Sequence, residues 1–472
     1  MALWLGTVPA QAQKVKSAAF SYLPERGEDT YTMRVPRKTL TLADGSGFVI
    51  LAHQSIGDYA VERYDTNLKR QWSTTIPVAP GETLEAFGRN ARQAWVVLHH
   101  KDGPNQTLNV VPVDLSTGRK GLPKVVVSAP VGDRRPRVNI SPGGQRLLAY
   151  RFVMLRGQQV GSIEAGVYDQ NLLPVQERTY DFSGQDGLFS PSAHIADDGT
   201  QYVTMVSDGM KKLTVRRYPA EQTAPVTVLG VPVGGTYGGQ AVTIRDARFT
   251  VLEDGNLYAA ALCADYETGA MSSLKVVRYD FSGKGEMKFS PEFPFNADYL
   301  KEMGQATGRP VSRLDDVYIA DMLLTAEKQL VVLVEKHYEE GEETPVHARE
   351  LLAFGYDEYG KSIWHTIINK DQAAPAVDAY TGIGFRAALF GQTLQLLTLE
   401  TIDKKPDIYL RRLNVQSGVL SEPERLKLNV ADDQNLAYVK DFTTWLDAQT
   451  IIAVSRPSKK SAELQLNKIV FK

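Results

Sequence analysis

A pattern that returns eight times constrains this chain more than any single motif. It is a short apolar segment, a turn rich in Gly, Asp and Asn, then a strongly apolar strand. It reads "LTLADGSGFVILAH", "LEAFGRNARQAWVVLHH", "VNISPGGQRLLAY", "AHIADDGTQYVTMV", "FTVLEDGNLYAAAL", "MLLTAEKQLVVLVE", "ALFGQTLQLLTLE" and "TWLDAQTIIAVS". Each copy has the form of a β-hairpin, two β-rich runs bounding a turn. A second signature follows after a variable gap: "RYDTNLKRQW", "PVDLSTGRKGL", "VYDQNLLPVQE", "RYPAEQTAPVTV", "RYDFSGKGEMKF", "GYDEYGKSIW" and "RLNVQSGVLSEP", seven copies in all.

Two hairpins per unit make four antiparallel strands, the blade of a β-propeller. Eight first hairpins but seven second ones leave the last blade one strand short. The N-terminal "KVKSAAFSYL" can supply that strand and close the ring. The expectation is an all-β propeller of eight blades, with seven as the alternative if the Pro219 copy is irregular. Units recur every roughly 58 residues, longer than WD40 or kelch repeats, whose signature residues are also missing. The exception to strand patterning is "NADYLKEMGQATG" at 296–308, which has an Asn N-cap and a Gly stop and predicts a short helix on the rim. Residues 13–472 then read as one propeller domain.

Composition narrows the function classes. The chain has 472 residues, a net charge of −2 and 23% charged residues, so nothing recommends a nucleic-acid partner. Its single cysteine, Cys263, excludes an internal disulfide framework and a Cys-based zinc site, and its apolar context "LYAAALCADY" reads as a buried thiol. No apolar run is long enough to span a bilayer. The opening "MALWLGTVPAQAQ" carries an apolar stretch and then an A-x-A pattern, so residues 1–12 read as an export signal that lacks the usual basic start. A periplasmic or secreted location follows as an expectation.

In a four-stranded blade with strands A to D from the axis outward, the A–B and C–D turns share one face. The B–C turns and the crossovers to the next blade share the other. The two signatures are the A–B and C–D turns. The B–C turns differ from unit to unit, as in "HHKDGPNQT", "ADYETGAMSS" and "EKHYEEGEETPVHAR". Variable loops on a rigid scaffold are where binding tends to lie, so the B–C/crossover face near the axis is the expected ligand or partner surface.

Polar residues in or just before the innermost strands sharpen that expectation: Arg137, His194, Arg245, Asp246, Arg248, Asp321, Arg386 and Asp441. As a mixed ring in the axial channel they could bind a small anionic or carbohydrate ligand. Asp246, Asp321 or Asp441 could also act as acid–base carboxylates of a glycoside hydrolase or lyase. The competing reading is a wet channel in which these groups satisfy one another.

Other clusters read as structure. His99 and His100 are adjacent on a strand and so point to opposite faces, which argues against a shared metal. "KHYEEGEETPVH", with His337, Glu339, Glu340, Glu342, Glu343 and His347, reads as an acidic, solvated hairpin tip. "DRRPR" at 133–137 reads as a solvated loop. There is no GxSxG elbow, HExxH pair, Walker A loop or GxGxxG motif, and no cofactor or metal is indicated.

Two resemblances complete the reading. "GYDEYGKSIW" is similar to the sialidase Asp box, S-x-D-x-G-x-x-W, in the order of Asp, Gly and Trp. Its Asp357 and Gly360 are separated by two residues instead of one, and no Ser stands two before the Asp, so sialidase function does not carry over. Asp65 and Asp357 read instead as turn anchors that accept backbone N–H bonds. The "VPAQAQ" segment is similar to secretory signals of Bacteroidota, and the whole chain resembles secreted propeller proteins of that group, whose role is undefined; a rigid ring with variable loops suits a binding or scaffolding module in the cell envelope.

Overall fold

The computed structural model describes residues 13–471 except 24–34, 36, 156–158, 184–188, 238–239, 282–285, 290, 342–344, 376–381, 429, 431–437 and 458–462. The expected export signal, and Glu342 and Glu343 of the acidic hairpin tip, therefore lie outside the described residues.

The strands pair into eight antiparallel sheets, one for each sequence unit, and the protein is an eight-bladed β-propeller. Blades are numbered from the N-terminus. Their inner strands are Thr39–Thr41, Glu82–Arg89, Arg137–Ile140, Phe189–Ile195, Gln240–Val251, Val317–Leu324, Arg386–Phe390 and Tyr438–Asp447. The unit at Pro219 is a regular blade: its strands Lys212–Tyr218 and Thr227–Pro232 pair from Lys212↔Pro232 to Arg217↔Thr227. The ring closes as the strand count requires. Lys14–Phe20 pairs antiparallel with Leu464–Val470, from Lys14↔Val470 to Phe20↔Leu464, and is the outer strand of blade 8.

The alternation of side chains along each strand explains how one sheet serves two interfaces. In Leu257–Asp265 of blade 5, Leu257, Ala259, Ala261 and Cys263 join the apolar layer against blade 4. Tyr258, Ala260 and Leu262 join the layer against blade 6. One such layer fills each of the eight interblade contacts. Strands buried on both faces read as continuous apolar runs, which is why "FVILA" and "LVVLV" stand out in the sequence. Outer strands alternate instead. Cys263 is fully buried, and burial pushes its thiol up to about 12.

The helix spans Ala297–Thr307. The side chain of Asn296 accepts from the Tyr299 amide, and Gly308 ends the helix at φ 68. Tyr299 and Met303 are buried in the layer between blades 5 and 6, so the insertion extends that interface. No helix among the described residues is long and apolar enough to cross a membrane.

Candidate functional site

The axis of the ring holds a cavity of about 890 Å3 to which all eight inner strands or their turns contribute. Its charged lining is Arg37, Arg89, Arg248 and Arg386, set against Asp321 and Glu253. His194 and Asn139 add neutral polar groups. Ala43, the Ser141–Pro142–Gly143 turn and Glu253 are also in the wall. The cavity therefore runs from mid-channel toward the A–B turns, while the variable loops gather on the opposite face.

Four of the eight residues singled out in the sequence meet in this cavity: His194, Arg248, Asp321 and Arg386. Arg248 and Asp321 form an ion pair at 3.5 Å across the contact between blades 5 and 6. Arg248 also donates to the Ala320 carbonyl, and Asp321 accepts from the Met322 amide at 3.0 Å. Arg386 reaches the Thr443 carbonyl of blade 8 at 3.5 Å. Burial, and then the like charge of Arg37, pull its guanidinium below the ordinary arginine value. His194 is held by Thr204 Oγ1 at 3.2 Å, and burial, with Arg137 second, lowers its imidazole to about 4. At neutral pH it is an uncharged hydrogen-bonding group.

The other four lie elsewhere. Asp441 is 1% exposed and pairs with Lys38, equally buried, at 3.6 Å. Arg137 is exposed, with its guanidinium 5.8 Å from the Phe152 ring centre. Arg245 and Asp246 line a separate pocket of about 450 Å3 on the B–C/crossover face, with Arg313, Asp315 and Asp316. Asp246 Oδ2 accepts from the Ile319 amide at 2.8 Å.

These contacts show a shared task. Asp246 and Arg248 bond the inner strand of blade 6, Asn139 Oδ1 accepts from Ile195 of blade 4 at 3.2 Å, and Arg386 bonds blade 8. Polar side chains near the axis latch one blade to the next and satisfy backbone groups that the bulged inner strands leave unpaired. Asp246, Asp321 and Asp441 are each engaged by an amide or a cation.

Arg37, Arg89 and Glu253 were missed by the sequence reading. Arg37 carried a usable signal, since it stands within two residues of its inner strand, as Arg137 and Arg386 open theirs. The histidines of the minor clusters alternate between the faces of their strands. His99 is buried on Gln106 at 2.9 Å while His100 faces Glu82 at 3.8 Å. His347 stacks on Tyr338, its cross-strand partner, so His337 lies on the other face of the hairpin. Arg135 of "DRRPR" is not solvated, because it pairs with Glu85 at 2.7 Å. No group of three metal-ligating side chains occurs among the described residues.

The fold and the axial cavity define an eight-bladed propeller with a polar, arginine-rich channel. No protein-family model and no curated protein matches the chain. Among solved structures it is similar to the periplasmic gluconolactonase PpgL of Pseudomonas aeruginosa, at 17% identity over 82% of this chain and 94% of that one, with a TM-score of 0.42. The β-propeller domain of Vanderwaltozyma polyspora Nup133 matches at 9% identity, 84% and 94% coverage and a TM-score of 0.43. The polysaccharide lyase Uly1 matches at 11%, 82% and 89%, with a TM-score of 0.41.

Proposed function

We propose that this protein is an exported binding module of the cell envelope whose axial cavity holds a small anionic ligand, such as the carboxylate end of a sugar acid. The observation that carries the reading is the lining charge: four arginines against two carboxylates in one cavity, with the charge of Arg37 acting against that of Arg386. Like charges gathered around a cavity are relieved by an anion, and guanidinium groups recognise carboxylate, sulfate and phosphate by paired hydrogen bonds. The variable B–C and crossover loops offer a second surface for a protein partner. A binding role is preferred to hydrolysis because the channel aspartates are engaged in latching blades.

Titration calorimetry with glucuronate and with glucose tests the reading. Glucuronate should bind and glucose should not. Arg248→Ala should weaken glucuronate at least tenfold, since a hydrogen bond to a charged group contributes about 1.5–3 kcal/mol. Arg248 suits the test because its side chain is 41% exposed, and urea unfolding of the variant separates lost ligand binding from the loss of its bonds to Ala320 and Asp321. Equal binding of the two sugars, or undiminished affinity in the variant, defeats the proposal. Export is read separately: the mature chain should begin at Gln13.

A further inference from the structure

The axial cavity is layered along the ring axis, and its layers differ in polarity. Each inner strand runs from a crossover toward its A–B turn, so the number of residues before the last pair of that hairpin measures depth from the A–B mouth. In blades 3 to 7 the inner strand reaches its last pair at Ile140, Ile195, Val251, Leu324 and Phe390. All five line the cavity.

The charged groups lie deeper. Arg248 and Asp321 stand three residues before Val251 and Leu324, and Arg37 and Arg386 stand four before Thr41 and Phe390. The bulges of blades 5 and 6 come earlier in the chain, before Arg248 and Asp321, so the strand between the two layers is regular. At roughly 3.3 Å per residue the layers are about 10–13 Å apart along the strands. Thr250, Asn139 and His194, each one residue deeper than the apolar layer, put neutral hydrogen-bonding groups between them. Arg89 ends the inner strand of blade 2 and Glu253 sits in the blade 5 turn, so the rim is charged at those two places.

The outer layer is not fully used in packing blades together. Ile140, Val251, Leu324 and Phe390 are only half-buried, whereas Leu257 and Leu330, which face Val251 and Leu324 across their hairpins, are buried. Half-exposed apolar side chains around one cavity release water when an apolar group enters. Blades 3 and 7 stand across a ring of eight, so Ile140 and Phe390 would meet such a group from opposite sides. The cavity volume, about 890 Å3, is near the upper end of the roughly 300–1,000 Å3 typical of sites for drug-sized ligands. A bare sugar acid would satisfy the arginines and leave the apolar layer wet.

We propose that the cavity takes an amphiphilic carboxylate, a uronic acid joined through its anomeric oxygen to an apolar aryl group. The carboxylate lies at Arg248 and Arg386, the sugar hydroxyls meet Thr250, Asn139 and His194, and the aryl group fills the outer layer. This inference rests on the anion-binding reading of the same cavity and names the class of ligand.

Calorimetric and fluorescence titrations with glucuronate, methylumbelliferyl β-D-glucuronide and the neutral methylumbelliferyl β-D-glucoside test it. The aryl glucuronide should bind about tenfold more tightly than glucuronate or better, since burying an aromatic ring stabilises in proportion to its apolar area. The aryl glucoside should bind about tenfold more weakly than the aryl glucuronide or worse, having no charge for the arginines. Phe390→Ala should remove most of the gain from the aryl group, and so should Ile140→Thr on the far side of the ring, with urea unfolding to show that each variant is folded. If neither glucuronate nor the aryl glucuronide binds, the anion reading fails and this inference with it. Equal affinity for those two overturns this inference alone, as does an undiminished gain in both variants. Equal affinity for the aryl glucuronide and the aryl glucoside also overturns it, because the arginine layer would then play no part.

Discussion

The recurring Asp of the second signature is backbone engineering. Asp65 Oδ1 accepts the amides of Asn67 and Lys69 at 2.8 and 2.9 Å, and Asp357 Oδ1 those of Tyr359 and Lys361 at 3.0 and 2.8 Å. Asn414 does the same for Gln416 and Ser417. The Trp that follows acts across blades. Trp364 of blade 6 lies on Gly418 of blade 7, where φ is +71 and an added Cβ would come within 2.8 Å of the indole. Trp72 of blade 1 lies on Gly118 of blade 2 in the same way. Only a residue without a side chain meets both demands there. The channel histidine has a different residue-scale consequence. Its lowered value means that the folded chain stays unprotonated at His194 while the unfolded chain takes a proton below about 6.5. Stability should therefore fall as pH drops from about 6.5 to about 4 and then level off, by ~3 kcal/mol at most from this group. Denaturant titrations of wild type and His194→Gln across that range check it. The variant should lose less stability than wild type, and parallel curves would show that His194 is not the source.

Among the elements, the eight units and the closing strand were legible because their signals are local. Alternation and turn residues need no knowledge of the ring. The channel was harder to read, since register there depends on bulges. In blade 5, Ile244 faces Cys263 and Asp246 faces Leu262, so Arg245 is an extra residue that changes which way its neighbours point. Blade 6 skips Ala320 and blade 2 skips Glu85 in the same manner. A list of polar residues on inner strands therefore mixes groups that line the cavity, such as Arg386, with groups that do not, such as Asp246. The closing strand carries its own test. Phe20 is 4% exposed and meets Phe442 of blade 8 edge-on at 5.2 Å, whereas Val15 on the same strand is 42% exposed. Phe20→Ala should cost about 3 kcal/mol or more by urea unfolding, and Val15→Ala within about 0.5 kcal/mol. Similar small losses for both would mean that the N-terminal strand does not hold the ring shut.

For the whole molecule, net charge and channel charge make opposite demands on an anionic ligand. The chain carries −2 overall and at long range should repel an anion weakly. The axial cavity gathers Arg37, Arg89, Arg248 and Arg386 against Asp321 and Glu253 inside walls of low dielectric, which focus the field toward its mouth. Added salt screens both effects, but it distinguishes them by sign. If the net charge governs approach, glucuronate should associate faster as salt rises. If the cavity governs, association should slow, with most of the change complete near 0.1 M, where the screening length falls to about 10 Å. Stopped-flow association at several salt concentrations should show the slowing. Arg248→Ala should flatten that dependence by removing one focusing charge, while Arg119→Ala, on the exposed C–D turn of blade 2, should leave it unchanged. Faster association with salt in the wild type would place the ligand outside the channel.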